Sequence, residues 1–108
     1  MKKVDIIKSS DEYKEIINTG KTRKNKYYSI YYRKNDNKNR YGITIPKKLG
    51  VAVLRNKTNR RVKNIIDQNK NTRQNSYDYV IIVKKGILEL TYSEMETELL
   101  KLMKSIGD

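Results

Sequence analysis

"AVLRNKTNRRVKNIIDQN", residues 52–69, is the segment on which the fold turns. Leu54, Thr58, Val62 and Ile65 recur every three or four positions and mark one stripe of an α-helix. Asn56, Arg60, Lys63 and Asn64 project from the opposite side, with Lys57 beside them. Just before this helix, "RYGITIPKK" (40–48) alternates through Tyr41, Ile43 and Ile45 as a strand does, until Pro46 and Gly50 interrupt the pattern. After it, "YDYVIIVKK" (77–85) is a continuous apolar run rich in β-branched residues, as expected of a strand buried on both faces. Strand, helix and strand make a βαβ unit, so strands 41–46 and 78–84 are expected to run parallel.

Working outward, "SSDEYKEIINTG" (9–20) carries the signals of a short helix. Ser9 with Glu12 fits a capping box, Asp11 and Glu12 suit the positive helix end, and Gly20 is a natural stop. Tyr13, Ile16 and Ile17 would share one face of it. "KYYSIYYRK" (26–34) reads as a strand, and the turn chemistry of "NDNKN" (35–39) predicts an antiparallel hairpin joining it to strand 41–46. At the far end, "TYSEMETELLKLMKSI" (91–106) predicts a helix with a core stripe of Met95, Leu99, Leu102 and Ile106. Thr91 with Glu94, or Ser93 with Glu96, would cap it. The expected order is α-β-β-α-β-α, an α+β sandwich in one domain spanning 1–108, with an extra edge strand near Val4 to Ile7.

The charge is heavily one-sided: 25 Lys and Arg face 12 Asp and Glu, a net +13. It is also regional. Between Asp36 and Asp67 there is no carboxylate, while Lys38, Arg40, Lys47, Lys48, Arg55, Lys57, Arg60, Arg61 and Lys63 all lie there. Such an excess calls for a polyanionic partner, nucleic acid or an acidic membrane face. The arginines carry more information than the lysines, because the planar guanidinium fork suits phosphate and base edges in a way an ammonium does not.

All nine aromatic residues are Tyr, and five of them (Tyr13, Tyr27, Tyr28, Tyr31, Tyr32) lie in the first third of the chain. If strand 26–34 alternates, Tyr27 and Tyr31 point one way and Tyr28 and Tyr32 the other. One pair is expected in the core; the other would line a groove beside Tyr13 and Ile17 and offer faces on which unstacked bases rest.

Several classes of chemistry find no residues to carry them. There is no Cys and no His, which excludes disulfides and thiolate sites. The acids lie outside the cationic window without metal-ligand spacing, and no phosphate-binding loop or dinucleotide fingerprint occurs. No apolar stretch approaches the length of a membrane span, and the chain reads as a soluble cytoplasmic one.

The block "PKKLGVAVLRNKTNRRVK" (46–63) resembles the signature of the bacterial ribonuclease P protein subunit, Lys-Lys-x-Gly-x-Ala-Val-x-Arg-Asn followed by a basic helical turn. "DEYKEIINTGKTRKNKYYSIYY", "YDYVIIVKKG" and "LTYSEMETEL" are similar to that family's opening helix and aromatic strand, its fourth strand and its closing helix. The resemblance runs from about Ser9 to Met103. It implies the family fold, with a left-handed βαβ crossover in place of the usual right-handed one. It also implies a subunit with no catalytic residue of its own, whose partner RNA uses magnesium to remove the 5′ leader of precursor tRNA. By the same resemblance, Lys47, Lys48, Arg55, Asn56, Lys57, Arg60, Arg61 and Lys63 would face the catalytic RNA. Tyr13, Ile17 and Tyr31 would line the leader cleft, with no membrane and no obligate protein partner. The chain departs from the pattern at Lys57, where an Arg is usual, at Asn59, where a Lys is usual, and at Val51, where a common Asn would cap the helix. Two other classes compete: a small basic ribosomal protein, which would sediment with ribosomes, and a self-sufficient ribonuclease, which would cleave RNA without a partner.

Overall fold

The structure is a computed structural model that describes residues 6–7, 9–35, 38–69 and 76–106. A four-stranded sheet is its centre. In chain order the elements are α1 (Ser10–Thr19), β1 (Lys21–Lys24), β2 (Tyr28–Lys34), β3 (Arg40–Thr44), α2 (Ala52–Gln68), β4 (Tyr77–Val83) and α3 (Tyr92–Lys104). Short 3₁₀ turns over Lys47–Leu49 and Lys85–Glu89 lead into α2 and α3. The strands lie in the order β1-β2-β4-β3, β1 and β4 antiparallel to β2, and β3 parallel to β4.

The parallel β3–α2–β4 unit is as expected, but the hairpin is not. β4 lies between β2 and β3, so the strands flanking residues 35–39 are not paired with each other. The reason is burial: Tyr79, Val80, Ile81 and Val83 of β4 are fully enclosed. A strand with no polar face gains about 1.5–3 kcal/mol for each large side chain it encloses, so it takes the centre, with a partner on either side. The hairpin instead joins β1 to β2. Asn25 makes its turn: its Oδ1 accepts the N–H groups of Tyr27 and Tyr28, both at 2.8 Å, and its own N–H donates to Tyr28 O at 2.9 Å. Of the edge strand expected near Val4–Ile7, Val4 and Asp5 lie outside the described residues, whereas Ile6 bridges Tyr41 in parallel.

Paired residues share a face of the sheet, so the register assigns the tyrosines. Tyr28, Ile30 and Tyr32 point with Tyr79, Ile81 and Val83 into the main core, closed by Val62, Ile65 and Ile66 of α2 and Met95, Leu99, Leu102 and Met103 of α3. Tyr41 stacks on Tyr79 at 5.3 Å, and Tyr32 meets Tyr77 edge-on at 5.7 Å. On the other face α1 lays Ile16 against Ile7 and Val80. At Ser9 half of the expected capping box forms, Ser9 Oγ accepting from Glu12 N at 3.4 Å, while Thr91 rather than Ser93 caps α3, closing a reciprocal capping box with Glu94.

Candidate nucleic-acid interface

The α1 face of the sheet carries Thr22 and Lys24 of β1, Ser29, Tyr31 and Arg33 of β2, Asp78, Val80 and Ile82 of β4, and Arg40, Gly42 and Thr44 of β3. α1 crosses this face at one end. There Arg40 clasps Asp78 through Nε–Oδ1 at 2.9 Å and Nη2–Oδ2 at 3.0 Å, and donates to Glu12 of α1 at 2.7 Å. Arg33 joins Asp78 at 3.2 Å to Glu15 of α1 at 2.7 Å, and Asn35 donates to Asp78 at 2.8 Å. Burial alone would raise the Asp78 carboxyl, but hydrogen bonds from Arg40, Asn35 and Arg33 outweigh it and hold its pKa below the ordinary carboxylate value. Two ion pairs therefore clamp α1 to the sheet.

At the other end α1 leaves the floor open. Tyr31, Ser29, Ile82 and Thr44 remain half-buried there; Tyr13 packs in the cluster with Tyr31 and Ile82, and Ile17 follows one helical turn along α1. Ile17 is 37% exposed, a large apolar side chain facing solvent. Gly42 seats Tyr13: a Cβ at this position would fall on the Tyr13 hydroxyl and ring. Burial raises the Tyr13 phenol, against a hydrogen bond with Thr44 that lowers it. Gly42→Ala is expected to push Tyr13 off the sheet at a cost of about 1–3 kcal/mol. Denaturation midpoints measure this, and the double variant Gly42→Ala/Tyr13→Ala should recover most of the loss.

The cations of α2 are spread around three sides of the helix. Asn56, Lys57, Arg60 and Asn64 are exposed on its outward side, and with Asn56 and Arg60 stands Val53, 78% exposed. Lys63 is half-buried and, with Asn59, turns toward Tyr13 and Ile43 across a small cavity of about 110 Å³. Arg61, also half-buried, lines with Lys57 a cavity beside Leu88, Leu90 and Met95. The expected single array thus becomes an outward face with two flanks, one of which adjoins the α1 cleft. Arg55 is oriented by its own chain, Nε donating to Gly50 O at 3.2 Å.

Ahead of α2, Lys47 and Lys48 are exposed on a 3₁₀ turn anchored by buried Leu49. Gly50 follows at φ 140°, a conformation that only glycine adopts readily. Val51 stands at the N-cap without a side-chain hydrogen bond, so no side chain caps the first turn of α2 and its positive end faces the lysine turn.

A cation-rich helix flanking an open aromatic floor is the arrangement implied by the sequence resemblance, and known proteins resemble this chain over nearly its whole length. Residues 1–107 match the family model described as Ribonuclease P. The chain belongs to the bacterial ribonuclease P protein family. It is 44% identical to the ribonuclease P protein component of Mycoplasma mycoides subsp. mycoides, over 98% of this chain and 99% of that protein. To the Streptococcus agalactiae serotype III component it is 37% identical, over 99% and 98%. Among solved ribonuclease P proteins, that of Thermotoga maritima superposes with TM-score 0.87 at 30% identity, covering 94% of this chain and 97% of its own. The Staphylococcus aureus protein does so with TM-score 0.88 at 26% identity, covering 95% of each.

In the ribonuclease P enzyme the cleavage of precursor tRNA is magnesium-dependent and belongs to the RNA subunit. Among the described residues no group of three His, Cys, Asp or Glu side chains could hold a metal ion. Glu12 and Glu15 of α1 and Asp78 of the sheet are committed to Arg33 and Arg40. As a member of this family the chain is an accessory subunit that binds the catalytic RNA and the leader. No helix among the described residues is long and apolar enough to cross a membrane.

Sequence reasoning missed part of this surface. Ser29, Thr44, Ile82 and Gly42 reach the open floor through strand register, which joins positions up to 53 residues apart, such as Ser29 and Ile82. The usable signal was alternation: once Tyr28 and Tyr32 are assigned to the core, Ser29 and Tyr31 fall on the opposite face.

Proposed function

We propose that two separate surfaces divide the RNA-binding work of this subunit. Lys47, Lys48, Arg55, Asn56, Lys57, Arg60 and Arg61 meet the catalytic RNA, and Tyr13, Ile17 and Tyr31 hold the single-stranded leader of precursor tRNA, with Lys63 between the two. The observation that carries this reading is the partial cover of the sheet by α1, which leaves half-exposed aromatic and apolar side chains beside Tyr13. Bases that are already unstacked can rest on such a floor, and phosphates then meet the flanking Lys63.

The test is Tyr13→Ala in the reconstituted holoenzyme. Loss of one stacking face is worth about 1–3 kcal/mol, so precursor tRNA should bind roughly 5- to 150-fold more weakly, while mature tRNA, which has no leader, should bind as before. An equal loss for both RNAs would remove the leader role from Tyr13.

A further inference from the structure

The edge of the sheet farthest from β3 carries a second basic surface. β1, the strand Lys21–Lys24, is exposed along its whole length. Its register sends alternate side chains to opposite faces. Thr22 stands opposite Tyr31 on the face of the proposed leader cleft, and Lys21 and Arg23 stand opposite Tyr32 and Ile30 on the other. Lys21, Arg23 and Lys34 of that second face border a cavity of about 440 Å³ at the end of the sheet, walled by Tyr32, Tyr77 and the end of α1 at Thr19 and Gly20.

Among the described residues no carboxylate lines this cavity. Among the described residues, Lys21, Arg23 and Lys34 make no side-chain hydrogen bond or ion pair, and the Tyr32 and Tyr77 hydroxyls make no hydrogen bond. Arg33, also in the wall, is already held by Glu15 and Asp78. At the end of α1, Ile16 O accepts the Gly20 N–H at 2.8 Å and Glu15 O accepts from Thr19 Oγ1 at 2.7 Å. Cations on an edge strand also discourage pairing with other sheets. That role needs charge on the edge alone, and it does not account for Lys34 on the inner strand or for a cavity walled by two tyrosines.

We infer that this edge binds the phosphates of the leader nucleotides that run on past Tyr31, the strand passing over Thr22 and turning around β1 onto Lys21, Arg23 and Lys34. The inference rests on the leader-cleft reading above and extends it. Three phosphate contacts follow, about 14 Å across the sheet from its α2-side edge.

The experiment compares two precursor tRNAs in the reconstituted holoenzyme, one with a leader just long enough to cover the Tyr13–Tyr31 floor and one extended by further unpaired nucleotides. The longer leader should bind more tightly, and its advantage should shrink about tenfold between about 50 mM and 200 mM salt. Lys21→Ala/Arg23→Ala/Lys34→Ala should abolish that advantage, with the loss confined to the longer leader and the melting temperature retained. Equal affinity of the wild type for both leaders, an advantage that survives the triple substitution, or an equal loss for both leaders would each overturn the inference. Tyr13→Ala measured in parallel separates the two ideas: if it still discriminates precursor from mature tRNA while the triple variant has no specific effect, the cleft stands and only its extension fails.

Discussion

Asp78→Ala is expected to remove about 3 kcal/mol of folding stability. The Asp78 side chain is 2% exposed and accepts four hydrogen bonds, two from Arg40 and one each from Arg33 and Asn35. Deleting one member of a buried ion pair typically costs about 3–5 kcal/mol, because the partner charge stays behind without compensation. Here the arginines are partly solvated and keep Glu12 and Glu15, which places the expected loss toward the lower end. Asp78→Asn offers little relief. Each carboxylate oxygen receives two donors, so either orientation of the amide turns an N–H₂ group toward donors.

The acid limb of the stability curve provides a second reading of the same site. The folded-state pKa of Asp78 is lowered, so its contribution is fully present above the ordinary aspartate value near 3.8 and is lost as pH falls through the folded value. The wild type should therefore lose stability on acidification more steeply than Asp78→Asn. Denaturant titrations at neutral and acid pH measure both effects, and a neutral-pH loss below about 1 kcal/mol would mean that α1 is held by packing alone. Since Glu12 and Glu15 tie α1 to this cluster, the variant should also loosen the helix that carries Tyr13 and Ile17.

What the sequence revealed and what it hid follow a physical division. Local signals were legible: the caps at Ser9 and Thr91 depend on residues three positions away, and the stripe through Thr58, Val62 and Ile65 depends on helical period alone. Strand order was misread because turn residues at 35–39 suggest a hairpin locally, whereas the order is decided by β4, whose apolar run needs neighbours on both sides. β1 was missed because "KTRK" is exposed along its length and so shows no alternation; only the Asn25 turn announces it. The Asp78 cluster left no trace in spacing, since Arg33 and Arg40 approach it from 45 and 38 residues away. For the candidate interface, the identities of the cations were readable, but their distribution over three sides of α2 required the packing of that helix against the sheet and α3.

That distribution leads to the second large effect. Lys47, Lys48, Lys57 and Arg60 are all exposed, and among the described residues none makes a side-chain hydrogen bond or ion pair. Nothing in the fold needs their charge, so replacing all four with Ala should change stability by no more than a few tenths of a kcal/mol per site. If they sit on phosphates of the catalytic RNA, each contributes on the order of 1 kcal/mol, and the quadruple variant should bind that RNA about 100- to 1,000-fold more weakly. The salt dependence decides what kind of contact is lost. Each phosphate contact releases condensed counterions, so the slope of log affinity against log salt should become shallower by about 3. A weaker variant with an unchanged slope would mean that these residues shape the helix without touching the RNA backbone. Arg60→Lys refines the test, because it keeps the charge and removes the planar fork: a preserved slope with reduced affinity would identify a bidentate contact, and wild-type affinity would reduce Arg60 to a point charge.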